Sequence, residues 1–297
     1  MVITAKQVKE LRDLTGAGML DCKKALEATD GDVQKAVIYL REKGIASAHK
    51  KESRIAADGL CNGVIDNNVA VLYEVNSETD FVAKNEKFLG LIEEVGEAIM
   101  ISGVSNTEDA LKYEHKGKTL ELLLQEATAT IGEKITLRRV TRVVKESSET
   151  FGFYKHMGGK IVALVVTSSN EEVAKNLAMH VAAQNPTYLK EEDISEEFIK
   201  SERQILLNQA LEENKTETKP KPENIIERMV EGRLNKQLKD ICLVFQPYVK
   251  DPSISVTDYL KSKNVEIKSF IRLEVGEGIA KREEDFAAEV EAQLKGF

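Results

Sequence analysis

The chain has 297 residues, of which 42% are hydrophobic and 31% charged, with a formal net charge of −8. That is enough apolar material for two or three domains, each with its own core, and the balance is too acidic for a protein that coats nucleic acid. The longest apolar run in a predicted strand, Ile161 to Val166, falls far short of the ~20 residues of a membrane span.

Residues up to about Gly44 are predicted as three short helices. Thr4 with Gln7 forms a capping box ahead of Val8, Leu11 and Leu14, and Thr15-Gly16-Ala17-Gly18-Met19 stops that helix. Asp21 is placed as the cap of the second helix, with Cys22, Ala25 and Leu26 inward. Asp32 caps the third, whose Val33, Ala36, Val37 and Leu40 share one face. A module this small buries little surface and is expected to dock onto something. Lys50-Lys51-Glu52-Ser53-Arg54 then reads as a solvated linker.

Strands follow: Gly59 to Asp66, a turn at Asn67-Asn68, Val69 to Val75, and a helix predicted from near Thr79. A second helix carries Leu120, Leu123, Leu124, Ala127 and Ile131 on one face, and a strand runs from about Ile135 to Val144. Arg138, Arg139 and Arg142 on that strand are read as a solvated face rather than a phosphate track. The order then recurs. Phe151 to His156, a turn at Gly158-Gly159, Lys160 to Thr167 and a helix from Asn170 repeat the hairpin-plus-helix plan.

The recurrence reaches individual residues. Ser77-Glu78-Thr79-Asp80-Phe81-Val82-Ala83-Lys84-Asn85 aligns with Ser168-Ser169-Asn170-Glu171-Glu172-Val173-Ala174-Lys175-Asn176, and Val-Ala-Lys-Asn is identical. Thr79 and Asn170 both suit an N-cap, with Asp80 and Glu171 set against the helix dipole. Glu172 marks its position as water-facing, so Phe81 in the same place is expected to be a displayed aromatic beside a carboxylate. Local sequence alone favours a core aromatic there, and the repeat argues the other way.

From about Glu191 to Phe245 the pattern is helical. Phe198, Ile205, Leu206 and Ala210 form one stripe, and Ile226, Val230, Leu234, Leu238 and Ile241 form another at near-heptad spacing. Lys219-Pro220-Lys221-Pro222 separates them, so an antiparallel helical hairpin is expected, either folded on the core or projecting for self-association. A strand at Val265 to Val275, turns at Gly276 and Gly278, and a helix with Phe286, Val290 and Leu294 in line complete the chain. The fold class is α+β, with these boundaries: a helical domain at 1–50, a linker at 51–58, and two related sheet-plus-helix subdomains at 59–145 and 146–278. The helical hairpin is inserted at about 191–245, and a C-terminal helical module occupies 279–297.

Catalytic constellations are missing. His49, His115, His156 and His180 have no HxxxH or HExxH spacing, and no GxSxG, GxxxxGK[ST] or GxGxxG motif occurs. His180 reads as a satisfied, semi-buried core histidine. Cys22, Cys61 and Cys242 offer neither a disulfide framework nor CxxC pairs for zinc, and Met1-Val2-Ile3-Thr4-Ala5-Lys6 has no signal-peptide apolar core. A cytoplasmic, non-enzymatic protein without metal or cofactor is expected.

Several motifs in fixed order resemble the bacterial elongation factor Ts family over essentially the whole chain. They are Thr15-Gly16-Ala17-Gly18-Met19 with Asp21-Cys22-Lys23-Lys24-Ala25-Leu26, Thr79-Asp80-Phe81-Val82, Met179-His180-Val181-Ala182-Ala183, Gln246-Pro247-Tyr248-Val249, and Phe270 through Gly278. Leu20 replaces a methionine common in the family, a volume-conserving change. The resemblance implies a ubiquitin-associated-like N-terminal domain, a coiled-coil or dimerisation module in the hairpin, and guanine-nucleotide exchange on the GTPase elongation factor Tu. By the same resemblance Thr79, Asp80, Phe81 and Val82 dislodge that partner's Mg²⁺, and His156 is a further contact. No membrane and no direct nucleic acid are implied as partners, and a homodimer or a 2:2 complex with the GTPase is left open. The alternative is a non-catalytic adaptor or scaffold whose helical module binds a ubiquitin-like or ribosomal partner without touching nucleotide.

Overall fold

A computed structural model describes residues 3–217 and 219–280. The chain divides into two compact units. The first runs to Val144 and adds Met157–Ile161 and the segment from Leu273; the second comprises Lys145–His156 and Val162–Arg272.

The first unit opens with α1 (Ala5–Thr15), α2 (Met19–Ala28) and α3 (Val33–His49) around Val8, Leu11, Cys22, Ala25, Leu26 and Ala36. The expected capping box is present: the Gln7 N–H donates to the Thr4 hydroxyl at 3.3 Å, and the Thr4 N–H donates to Gln7 Oε1 at 3.0 Å. Two boundaries differ from expectation. α2 starts behind Gly18, so Asp21 lies in its first turn and pairs with Lys43 at 3.3 Å instead of capping. α3 passes through Gly44 to His49, and a Cβ at Gly44 would sit 3.0 Å from the Ala129 side chain, so glycine there lets the helix lie close to its neighbour.

That neighbour is α6 (Leu120–Ile131), which with α4 (Glu86–Ser102) covers the antiparallel sheet β1-β2-β5, formed by Asp58–Asp66, Val69–Ser77 and Thr136–Val144. Tyr73, Val75, Phe88, Ile92, Val95, Ile99, Leu120 and Leu124 share this core. The turn between β1 and β2 is the expected Asn67-Asn68 pair, with Asn67 at φ 49°, a left-handed position asparagine tolerates. Between α4 and α6 lie α5 (Thr107–Lys112) and a short hairpin of β3 (Glu114–His115) and β4 (Lys118–Thr119), none of which the sequence pattern disclosed.

The arginines on β5 are not a solvated face. The pairing of β2 with β5 slips between Glu74 and Val75, leaving Arg138 as an extra residue, so both Arg138 and Arg139 oppose the fully buried Glu74. Arg138 donates to Glu74 at 3.1 Å and Arg139 Nε at 2.5 Å, while the Gly276 N–H donates to the same carboxylate at 2.8 Å. Gly276 must be glycine: its φ is 72°, and a Cβ would strike the Ala57 carbonyl. Burial pushes the Glu74 carboxyl up, but donation by Gly276, Asn76 and Arg139 outweighs it and holds the group below its usual range.

The second unit is built on the sheet order β10-β7-β6, with β6 at Thr150–His156, β7 at Ile161–Thr167 and β10 at Ile267–Glu274. α7 (Glu171–Gln184) packs on β6. Its His180 is fully buried. The Val249 N–H donates to Nδ1 at 3.1 Å, so Nε2 carries the proton and donates to Gln246 Oε1 at 2.9 Å. Gln246 Nε2 donates to the Asp240 carbonyl at 2.6 Å, which fixes the orientation of that amide. Tyr248 stacks on Tyr259 at 4.1 Å beside this cluster. Tyr259 belongs to α10 (Val256–Lys263), which with the hairpin of β8 (Pro247–Tyr248) and β9 (Asp251–Ser255) was not anticipated.

α8 (Glu196–Thr216) and α9 (Glu223–Ile241) form the expected antiparallel pair on either side of the proline segment, with Ile226, Val230, Leu234 and Leu238 buried. Ion pairs Arg203–Glu231 and Glu213–Arg233, at 2.7 and 2.8 Å, lace their flanks. Ile205 is exposed rather than part of the inward stripe, which runs through Leu206 and Ala210. The predicted final helix with Phe286, Val290 and Leu294 lies outside the described residues.

Candidate functional site

β2 ends at Ser77, and the next eight residues do not begin a helix at Thr79 as expected. They form a turn and a single 3₁₀ turn at Val82–Lys84, and α4 starts only at Glu86, where the Asn85 side chain accepts from the Lys87 N–H at 2.9 Å. Thr79 is diverted from capping by a distant acid. Glu133, in the loop between α6 and β5, accepts the Thr79 hydroxyl at 2.6 Å on Oε1 and the Thr79 N–H at 2.9 Å on Oε2. The Ser77 hydroxyl donates to the Thr79 carbonyl at 3.0 Å, so both sides of residue 79 are held.

The preceding residue is held by the same loop. Glu78 accepts from the Lys134 N–H at 2.6 Å and from the Arg54 guanidinium at 3.3 Å, while Lys134 Nζ donates to the carbonyls of Glu52 and Arg54 at 2.6 and 3.0 Å. On the far side Val82 and Ala83 are buried in the sheet core. Between these anchors only Asp80 and Phe81 face outward. Phe81 is 78% exposed, more than any other large apolar residue among those described, and Asp80 pairs with the exposed Lys84 at 3.5 Å.

Solvating an aromatic ring on a fixed turn forgoes the burial that cores give it, roughly 1.5–3 kcal/mol for a phenylalanine. A turn so anchored has no packing reason to show that ring to water. What Phe81 and Asp80 can do is bind: insert a ring into a pocket and set a carboxylate against a cation or a hydrogen-bond donor. Among the described residues no group of three or more His, Cys, Asp or Glu is placed to hold a metal ion.

Of the residues expected in the site, Thr79, Asp80, Phe81 and Val82 form one continuous tip, with Val82 as its buried foot. His156 belongs to the other unit, half-buried, with Nδ1 3.2 Å from the Tyr154 hydroxyl. Glu133, Lys134 and Arg54 escaped sequence reasoning. Glu133 and Lys134 lie more than fifty residues from the tip, in a loop with no motif, and Arg54 lies in a charged run that reads as a solvated linker.

The corresponding stretch of the second unit has a different conformation. Asn170, at φ 69°, caps α7 directly by accepting from the Val173 N–H at 3.2 Å, and Glu171 and Glu172 are exposed in the helix's first turn. Tetrapeptides of identical sequence are therefore a 3₁₀ turn in one unit and α-helix in the other.

A family model described as "Elongation factor TS" matches residues 78–277, an interval that starts at the tip and ends at the Gly276 turn. The chain is 55% identical to elongation factor Ts of Acholeplasma laidlawii (strain PG-8A) over 296 residues, covering 99% of each chain.

Proposed function

This chain belongs to the elongation factor Ts family, and from that premise we propose that it is the guanine-nucleotide exchange factor for elongation factor Tu, acting through the Phe81 tip. As a translation elongation factor of this family it would make and break no bond. A GTPase holds GDP through Mg²⁺ and through loops ordered around the phosphates. A protein that binds the nucleotide-free form more tightly must weaken GDP by the same coupling free energy, about 1.4 kcal/mol for each tenfold. Burying Phe81 supplies roughly 1.5–3 kcal/mol, enough for on the order of ten- to a hundredfold, with the wider interface supplying the rest.

Within this reading Phe81 wedges between elements of the partner, Asp80 disturbs the groups around its Mg²⁺, and Thr79 and Val82 hold the two in place. The carrying observation is Phe81 itself, fully displayed on a turn that is anchored on both sides. The three-helix module, proposed as ubiquitin-associated-like, adds docking area through its exposed Leu14, Met19 and Leu20. Residues 279–297 and His156 are proposed as further contacts, and the α8–α9 pair as the module for a homodimer or a 2:2 complex. The acidic net charge supports action without direct contact to nucleic acid, a cytoplasmic place fits three cysteines that offer no disulfide framework, and no helix among the described residues is long and apolar enough to cross a membrane.

The test mixes the protein with elongation factor Tu carrying fluorescent GDP in the presence of excess unlabelled GDP. Sub-stoichiometric acceleration of GDP release supports exchange. Binding without acceleration would replace this reading with that of a non-catalytic adaptor.

A further inference from the structure

We infer that Glu133 is a positioning residue for the Phe81 tip, an inference that rests on the exchange reading of that tip. Its carboxylate grips one residue with both oxygens, at 2.6 Å to the Thr79 hydroxyl and 2.9 Å to the Thr79 N–H. That N–H has no backbone acceptor among the described residues, and the opposite side of Thr79 is fixed by the Ser77 hydroxyl on its carbonyl. With Thr79 held and Val82 buried, the direction of Phe81 is set by the few torsions between two clamps. The clamp also turns the Thr79 side chain toward Glu133, and no helix starts behind it: the chain makes a 3₁₀ turn at Val82–Lys84 and α4 begins only at Glu86. Without Glu133 the Thr79 hydroxyl and N–H lose the one partner they have among the described residues, and the turn loses one of its two anchors.

Glu133 is held in turn. Gly132, at φ 94°, ends α6 and turns the chain into the loop, and the following residue, Lys134, is tied to Glu78, Glu52 and Arg54. The grip thus joins the exchange tip to the start of β5 and to the segment leading into β1, so that the ring presented to a partner is preorganised rather than ordered on contact.

The experiment measures fluorescent-GDP release from elongation factor Tu with the full chain and five variants: Phe81→Ala, Glu133→Ala, Glu133→Gln, Glu133→Asp and the double variant Phe81→Ala/Glu133→Ala. Glu133→Ala is expected to lower kcat/KM for exchange about tenfold, as loss of alignment does. Glu133→Gln, whose carbonyl still accepts the Thr79 N–H and whose amide still meets the hydroxyl, recovers most of the rate. The double variant is no slower than Phe81→Ala alone, because a residue that acts through the ring has nothing left to position. If Phe81→Ala is slow while Glu133→Ala is as fast as the parent, the inference is overturned and the tip reading stands. If the two losses multiply in the double variant, Glu133 acts independently of the ring and the inference also falls. Full-rate exchange by Phe81→Ala would overturn the tip reading and the inference with it. A misfolded Glu133→Ala leaves the decision to Glu133→Asp, whose shorter side chain cannot reach both the hydroxyl and the N–H of Thr79: exchange slowed toward that of Phe81→Ala supports the positioning role, and exchange at the parent rate contradicts it.

Discussion

The two repeats begin alike in sequence and end differently in structure. Both follow a strand, both contain Val-Ala-Lys-Asn, and both leave the strand through a hydroxyl that donates to the carbonyl two residues on, Ser77 to Thr79 and Thr167 to Ser169. In the second unit Asn170 then caps a helix at once. In the first, Glu133 takes the threonine that could have capped, the helix is delayed to Glu86, and an extra turn displays Phe81. A threonine held by a distant acid accompanies the displayed aromatic, and a left-handed asparagine accompanies the plain helix start. The polar cores differ as well: the first unit is braced by a buried Glu74 carboxylate paired with the half-buried Arg138 and Arg139, the second by a neutral His180–Gln246 pair.

The largest expected effect breaks the charged half. Glu74→Ala leaves two half-buried guanidinium groups without their shared partner and should destabilise the protein by about 3–5 kcal/mol in denaturant unfolding. A change below 1 kcal/mol would show that the arginines are solvated after all.

A smaller effect separates the halves by acid. Burial lowers the pKa of His180 despite its bond to Gln246, so its contribution to stability is present above the ordinary histidine value of about 6.5 and is lost as pH falls through the depressed folded one. Glu74 is also depressed, and its contribution is present above about 4.3 and lost only as pH falls below that through its folded value. Hydrogen exchange followed down the pH scale should therefore show protection failing first around His180 and Val249 and later around Glu74 and Gly276. Simultaneous failure would contradict the assignment of the two networks.

The smallest effects are expected at the second tip. Glu172→Ala should change stability by less than about 0.5 kcal/mol, as exposed positions do, and leave exchange untouched. Phe81→Ala/Glu172→Phe should exchange no faster than Phe81→Ala, because an aromatic in the first turn of α7 has no clamp and no neighbouring Asp80. Recovery of exchange by that double variant would mean that composition at this position matters and local conformation does not.

Much of this was legible in the sequence wherever signal is local or repeated. Caps at Thr4 and Asp32, the α9 stripe, the Asn67-Asn68 turn and the exposure of Phe81 all follow from short-range pattern or from reading one repeat against the other. What failed had a distant cause. Thr79 has the chemistry of a cap and loses that role to Glu133. Arg138 and Arg139 are adjacent charged residues in a strand-like run and read as solvated, yet a bulge sets both against Glu74 on the neighbouring strand. The two-residue strands β3, β4 and β8 are too short to carry a period of their own.

The most direct test of the account compares GDP release from elongation factor Tu driven by the parent chain and by Phe81→Ala at matched, saturating concentrations, with unfolding curves run in parallel. Equal stability and release slowed roughly ten- to a hundredfold are expected of Phe81→Ala. Equal stability with undiminished release would contradict the role given to Phe81.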